Sequence, residues 1–372
     1  MDKFASAVIY EKPETFALRQ FPIPHIADGD MLIEVLVAGV DGSELHMFNG
    51  EMEFINNNAP VVFGDEIIGK VVAIGDDAAA RRSLKLGDVV AVEAKWPCNK
   101  CPSCLQNQYY LCRNGLGKNG YGTRNCAEPP HLWGGYATHV FVPPEALVYR
   151  VPNDLSLNTA LVACSLLANS ARWSELAKSA AGQTVVVIGP GPQGIGCALA
   201  AVDVGAKVLV VGLERDATRL EFAAKFATAE TMAISGKETH QQVAEAIRAI
   251  VGEVDSVIET AGSAPAKQLA LELVKPMGTV VHISWPKPLE QPVNWMTLLM
   301  KEVTVLNPMS HPYFVDRGFE LAQRLKSQGI DVGEMVTHSF GLKDCEHAIR
   351  VAAYQTDEVP IKVVIEPSLD GR

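Results

Sequence analysis

The sequence predicts an α/β protein in which a β-rich region precedes a doubly wound parallel sheet, and three observations lead there. Up to about residue 155 the apolar runs are short and β-branched, with Gly or Pro punctuation between them, as in an all-β domain. From about residue 183, continuous apolar runs of strand length alternate with helical segments. At the junction of the first such strand and helix stands the glycine-rich turn Gly189-Pro190-Gly191-Pro192-Gln193-Gly194.

Taken in order, the β-branched runs at 31–37, 67–74 and 88–92 predict strands of the first region. QTVVVIG is then a continuous apolar strand and IGCALAAVDVGA a helix. KVLVVG gives the next strand, and DATRLEFAAKFA the next helix, with Asp216 as its N-cap. DSVIET, GTVVHIS and VTVLNP continue the buried strands. Strands alternating with helices require right-handed crossovers and therefore a parallel sheet with helices on both faces. Beyond about residue 310 the pattern predicts a helix at 316–327, a strand near 335–340, a helix at 343–353 and a last strand, IKVVIE. No internal repeat or low-complexity tract interrupts the series.

With 372 residues the chain exceeds one ordinary core, which favours two domains. Its 48% hydrophobic and 20% charged residues are the balance of a globular protein. A formal net charge of −11, without any run of Lys and Arg, argues against a nucleic-acid surface. The N-terminus lacks an apolar signal core and no window approaches the roughly 20 apolar residues of a membrane span, so the expected location is cytoplasmic, with no membrane partner. Four of the eight cysteines crowd into residues 98–112, while Cys126, Cys164, Cys197 and Cys345 are scattered. In a reducing compartment such a cluster reads as a metal site rather than a disulfide set.

Gly189, Gly191 and Gly194, with Pro192 and Gln193 between them, fit G-x-G-x-x-G directly after a strand and at the start of a helix. Glycines there permit the tight turn, the close approach of a pyrophosphate and close helix–strand packing, and the helix N-terminus supplies N–H groups. The expected cofactor is NAD(H) or NADP(H). A carboxylate at Gly212 would mark NAD and repel a 2′-phosphate, and none is there. Glu214 could take the ribose hydroxyls, Arg215 could pair with a 2′-phosphate, or both could be solvated loop charges.

Cys98-x2-Cys101-x2-Cys104-x7-Cys112 places four thiolates in one loop. A tetrahedral all-thiolate set matches a closed structural zinc site, which has no position left for substrate.

A four-cysteine loop near residue 100 followed by a dinucleotide fold near 185 resembles the medium-chain dehydrogenase/reductase superfamily, in its zinc alcohol dehydrogenase-like branch. The resemblance covers essentially the whole chain. It implies a GroES-like catalytic domain at 1–157 with its zinc lobe at 95–115, a Rossmann domain at 158–309, a return to the catalytic domain at 310–372, and an active site in the cleft between them. It also implies a small-molecule substrate and a homodimer or homotetramer. Where the family normally has a cysteine ligand this chain has Asp41; where it reads Gly-His-Glu this chain reads Gly64-Asp65-Glu66; Cys164 falls where the third ligand is expected. Ser43 and His46 match the family's proton-relay positions.

Two readings of the altered site stand side by side. With zinc retained, Asp41, Asp65 and Cys164 are its ligands, with Glu66 as a substitute, and three anionic ligands make a metal that polarises a carbonyl less. With zinc lost, Asp41, Asp65 and Glu66 crowd together and one is pushed up in pKa, leaving a protonated carboxyl as general acid. The retained Ser43 and His46 favour an NAD(P)-dependent oxidoreductase acting on alcohols and carbonyls. The alternatives are a catalytic-zinc-free reductase of activated C=C or iminium bonds and a non-catalytic nucleotide-binding protein. Trp96 and Trp133 are expected to be packing residues, with a place at the substrate cleft as the alternative; Trp285, Trp295 and Met296 are also expected to pack, with the subunit interface that the resemblance implies after the HIS strand as the alternative.

Overall fold

The computed structural model describes residues 3–115, 118–227, 229–286 and 288–371. The chain divides into two compact units, Met1–Cys164 with Asp331–Arg372, and Ser165–Ile330.

The first unit is built on a seven-stranded sheet in the order Val336–Phe340, Lys362–Ile365, Met31–Val40, Ile67–Ile74, Val89–Val92 and Val148–Arg150, with His139–Val142 pairing the strand Met31–Val40 off this path. Phe4–Lys12, Thr15–Pro22 and Val61–Val62 form a smaller antiparallel sheet. Met31–Val40 is the central strand, since it pairs with three neighbours. Being covered on both faces, it reads MLIEVLVAGV, a near-continuous apolar run rather than an alternating one. Trp96 and Trp133 are buried in this core, with ring centroids 6.1 Å apart, which is the packing role expected of them. The cysteine lobe leaves the seven-stranded sheet after Val89–Val92. It is tied back by the buried Tyr109 hydroxyl, which donates to the buried carboxylate Glu93.

The second unit holds a six-stranded, wholly parallel sheet in the order Glu230–Ile234, Lys207–Leu213, Thr184–Ile188, Ser256–Glu259, Thr279–His282, Thr304–Leu306. Numbered within the unit this is 3-2-1-4-5-6, the doubly wound dinucleotide order, with its reversal between Thr184–Ile188 and Ser256–Glu259. Helix Pro192–Asp203 follows the glycine turn, and helix Ala217–Ala227 follows the second strand. Asp216 stands just before that second helix, where it was expected. Its carboxylate accepts from the Leu213 N–H at 3.1 Å, so it closes a capping turn backward over Glu214–Asp216.

Three aromatic and sulfur residues correct the packing expectation. Trp285 is 44% exposed, Trp295 73% and Met296 63%, and Leu299 and Met300 share the exposed face of the helix Trp295–Lys301. Among the described residues, no helix is long and apolar enough to cross a membrane.

Candidate functional site

The site grows from the end of the central strand. Met31–Val40 runs into Asp41, whose extended backbone makes it the N-cap of helix Gly42–Phe48. Its Oδ1 accepts from the Ser43 and Glu44 N–H groups at 2.7 and 3.0 Å and from the Ser43 hydroxyl at 2.7 Å. Glu44, at the third helical position, completes a capping box by accepting from the Asp41 N–H at 3.2 Å. Its Oε1 accepts from the Gly64 N–H at 2.8 Å, and the Tyr136 hydroxyl donates to Oε2 at 2.5 Å. One buried carboxylate thus pins the start of the helix to the turn Gly64-Asp65-Glu66. Gly64 is required there, because its φ is +90° and an added Cβ would meet Gly135 N at 2.9 Å.

Within that turn Glu66 is buried and its Oε2 lies 2.5 Å from the ammonium of Lys362, itself buried. The same ammonium donates to the Val40 carbonyl at 3.0 Å. Gly39 leaves the room for this pair, since a Cβ there would fall 1.8 Å from Glu66 Oε2. Burial works against the charged Lys362, but Glu66, Asp41 and Glu44 outweigh it and hold its pKa above the ordinary lysine value. Burial pushes Asp65 up to about 8, reinforced by Asp41 and Glu66 and opposed by Lys95 and Lys362. It is mostly protonated at neutral pH. Glu44 is raised well above the usual carboxylate range, chiefly by burial. Burial lowers Lys95, and Asp65 partly restores it.

Cys164 sits on a π-helical turn, Ala163–Leu167. Its thiol donates to the Leu161 carbonyl at 3.3 Å, and burial together with Glu66 pushes its pKa up, so it is held as a thiol. His46 lies in the last turn of helix Gly42–Phe48, with Nδ1 2.7 Å from Glu51 Oε2.

Two zinc sites can be tested against these side chains. Among the described residues, the one group of three or more His, Cys, Asp or Glu whose ligand atoms come within 4.8 Å of one another is Cys98, Cys101, Cys104 and Cys112. Tetrahedral bonds of about 2.3 Å put sulfurs about 3.8 Å apart, and Cys101 and Cys112 are 3.8 Å apart. Cys98 Sγ accepts from the Cys101 N–H and Cys104 Sγ from the Cys98 N–H, at 3.4 and 3.3 Å. This set fits a structural zinc. Asp41, Asp65, Cys164 and Glu66 do not converge in this way, and they do not fit a catalytic zinc.

The glycine turn fits a dinucleotide. Gly189 has φ +109° and a Cβ there would meet Thr260 Oγ1 at 2.6 Å; at Gly194 it would meet the Gly189 carbonyl at 1.9 Å. Both are packing glycines. Gly191 is different: it is the N-cap of helix Pro192–Asp203, and a Cβ there would meet nothing within 4 Å. That open space over a helix N-terminus is what a pyrophosphate needs. The buried Gln193 Oε1 beside it has no hydrogen-bond partner. At Gly212 a Cβ would lie 2.7 Å from Pro190, so the turn's own proline excludes a carboxylate there. Glu214 and Arg215 are exposed.

Sequence reasoning missed Glu44, Lys95, Tyr136 and Lys362. Asp41-x-x-Glu44 was readable as a capping box, and Lys362 as a lone charge in the buried strand of IKVVIE. It also missed the fully buried Glu259, which accepts from the Ala261 and Gly262 N–H groups and the Ser284 hydroxyl at 2.7 to 2.8 Å and faces His282 Nδ1 at 3.4 Å.

The sequence matches the alcohol dehydrogenase GroES-like domain over residues 27–153 and the zinc-binding dehydrogenase domain over 192–312. It is 35% identical over 280 residues to the "Probable alcohol dehydrogenase" of Mycobacterium tuberculosis, covering 74% of each chain. It is 27% identical to D-arabitol-phosphate dehydrogenase of Enterococcus avium over 98% of each chain. An alcohol dehydrogenase structure from Thermotoga maritima superposes with a TM-score of 0.84 at 27% identity, covering 98% of this chain and 99% of that one. A structure from Sinorhizobium meliloti 1021 assigned as a zinc-binding dehydrogenase and bound to NADP gives 0.83 at 26% identity, covering 98% and 100%.

Proposed function

The chain belongs to the zinc alcohol dehydrogenase-like branch of the medium-chain dehydrogenase/reductase superfamily and is an NAD(P)-dependent oxidoreductase, and on that premise we propose that Ser43, Asp41 and His46 move the proton while hydride passes between the nicotinamide and an alcohol or polyol carbon. The bound nicotinamide supplies or accepts the hydride. In oxidation the substrate C–H leaves as hydride, the O–H proton goes to Ser43 Oγ, and Ser43 gives its own proton to Asp41 Oδ1 as the C=O forms. The observation that carries this is the 2.7 Å bond from the Ser43 hydroxyl to Asp41 Oδ1, which points the hydroxyl proton at a carboxylate acceptor. Glu51, at 2.7 Å from His46 Nδ1, favours the tautomer with the proton on that nitrogen and leaves Nε2 to accept. Polyol chemistry is supported by the relative that acts on D-arabitol phosphate.

The clustered thiols of the cysteine lobe support placement in the reducing cytoplasm. The exposed Trp285, Trp295, Met296, Leu299 and Met300 support assembly into a homodimer or homotetramer through that face.

The test is turnover with NAD⁺ and NADP⁺ on primary alcohols, secondary alcohols and polyols, and the reverse reaction on the matching carbonyls. Ser43→Ala should lower kcat/KM by roughly 10²–10⁴-fold while cofactor binding, read by fluorescence, is kept. Turnover only on activated alkenes or imines would replace this reading with a reductase of those bonds, and cofactor binding without turnover on either panel would replace it with a nucleotide-binding protein.

A further inference from the structure

The glycine turn has two flanks. On one, Pro190 lies over Gly212 of the second strand, where a Cβ would come within 2.7 Å of the ring. On the other, Gly189 and Gly194 press against Thr260, whose Oγ1 would lie 2.6 and 3.1 Å from a Cβ at each. Thr260 directly follows the strand Ser256–Glu259, and the strand order reverses between this strand and Thr184–Ile188. In a doubly wound sheet the end of the second strand holds the adenosine ribose, so the other half of a dinucleotide crosses the reversal to the Thr260 flank.

Gln193 stands next to Gly194 and carries the one polar side chain among the six residues of the turn. Its Oε1 is buried and, among the described residues, has no hydrogen-bond partner. A buried acceptor without a donor is destabilising, and native folds rarely keep one. The hydroxyls of this flank are committed elsewhere: Thr260 donates to the Ile188 and Gly189 carbonyls at 3.0 and 2.9 Å, and Ser284 to Glu259 at 2.8 Å. A pyrophosphate over Gly191 cannot serve Oε1 either, because its oxygens are acceptors at neutral pH and are met by the helix N–H groups.

We infer that Gln193 is a specificity-determining residue of the cofactor site, its side-chain carbonyl accepting a hydrogen bond from the nicotinamide riboside half of the dinucleotide, through a ribose hydroxyl or the carboxamide NH₂. Both groups are donors, and both lie across the pyrophosphate from the adenosine. An apolar side chain of the same length would fill the same space and leave that donor buried and unpaired. Gln193 thus ties recognition of the pyrophosphate at Gly191 to recognition of the reactive half of the cofactor. A fragment that ends at the pyrophosphate satisfies the helix terminus and leaves Oε1 without a donor.

The inference rests on the oxidoreductase reading for the identity of the dinucleotide, and its test reads binding rather than turnover. Titration calorimetry with NADH, ADP-ribose and ADP, or their 2′-phosphorylated forms where the wild type prefers NADPH, is run on wild type, Gln193→Met and Gln193→Glu. Gln193→Met should bind NADH about tenfold more weakly and ADP as the wild type does, the factor expected when a donor is left unpaired. Gln193→Glu keeps acceptor oxygens in the same shape; its charge weakens all three ligands, and the NADH-to-ADP affinity ratio should stay that of the wild type. A tenfold loss shared by ADP-ribose assigns the donor to the ribose, and a loss confined to NADH assigns it to the carboxamide. Without ligand, Gln193→Met should melt no lower than the wild type, since it removes an unpaired buried acceptor. A Gln193→Met chain that fails to fold or melts well below the wild type would make the side chain structural and overturn the inference. An unchanged NADH affinity, or an equal loss for ADP, would overturn it as well. A wild type that binds none of the three ligands would sink the oxidoreductase reading together with it, whereas a wild type that binds beside an unaffected Gln193→Met sinks the inference alone.

Discussion

In the lobe at 98–112 four sulfurs come within 4.8 Å of one another and accept backbone N–H groups, whereas at Asp41, Asp65, Glu66 and Cys164 the donors are spent on, or face, protein groups. Both sets carry metal-ligating residue types, and both lie in the same unit of the fold. What separates them is the company each donor keeps. The cysteines sit on a loop of short turns, a four-residue helix and a 3-10 turn, which gathers their four sulfurs together. Asp41 caps a helix, Glu66 pairs with Lys362, Asp65 interacts electrostatically with Lys95 and Lys362, and Cys164 is held as a buried thiol. A ligand alignment is therefore a statement about residue types, and the hydrogen-bond and charge partners decide whether the site can take an ion.

The comparison can be broken or sharpened by substitution. The largest effect belongs to the lobe: Cys104→Ala should remove its zinc and destabilise the fold by several kcal/mol, because structural metal binding is folding free energy. Zinc analysis and thermal unfolding of the same preparation check this, and a variant that kept its zinc would break the contrast from the lobe side.

Next comes Asp65. Its pKa of about 8 in the fold, against 3.8 for the free side chain, means that the folded chain binds this proton more tightly than the unfolded one. Asp65 therefore costs no stability below pH 3.8, and its cost grows as the pH rises and levels off above about 8. Asp65→Asn removes the titration. Its unfolding free energy relative to wild type should improve between pH 6 and pH 9 by about 3 kcal/mol, from 1.36 kcal/mol per unit over the two units up to the folded pKa. Denaturant unfolding at the two pH values measures it, and an advantage that shrank with pH would show an ionised, paired Asp65.

The smallest effect on the fold is that of Asp41→Ala. As an N-cap it should cost about 1 kcal/mol of stability and leave the zinc content unchanged. A loss of zinc in this variant would make Asp41 a ligand after all.

The same contrast explains what could be read in advance. The glycine turn and the cysteine lobe are local: each is one short stretch whose function follows from backbone freedom or donor spacing, and the structure keeps both at their expected places. The parallel strands were legible for the same reason, as apolar runs bounded by turns. The remodelled site is not local. The Lys362–Val40 contact spans 322 positions along the chain and exists only because Lys362–Ile365 pairs antiparallel with Met31–Val40. Asp41 and Asp65 looked like ligands because their alignment was visible and their partners were not. For Trp295 and Met296 packing was preferred over a subunit interface because an apolar helix looks the same whether its cover is its own chain or another copy.

The central claim is that one of the two donor sets holds zinc. Elemental analysis of the wild-type chain purified without added metal or chelator should find one zinc per subunit, unchanged in Asp65→Ala and absent in Cys104→Ala. Two zincs in the wild type, falling to one in Asp65→Ala, would contradict the account.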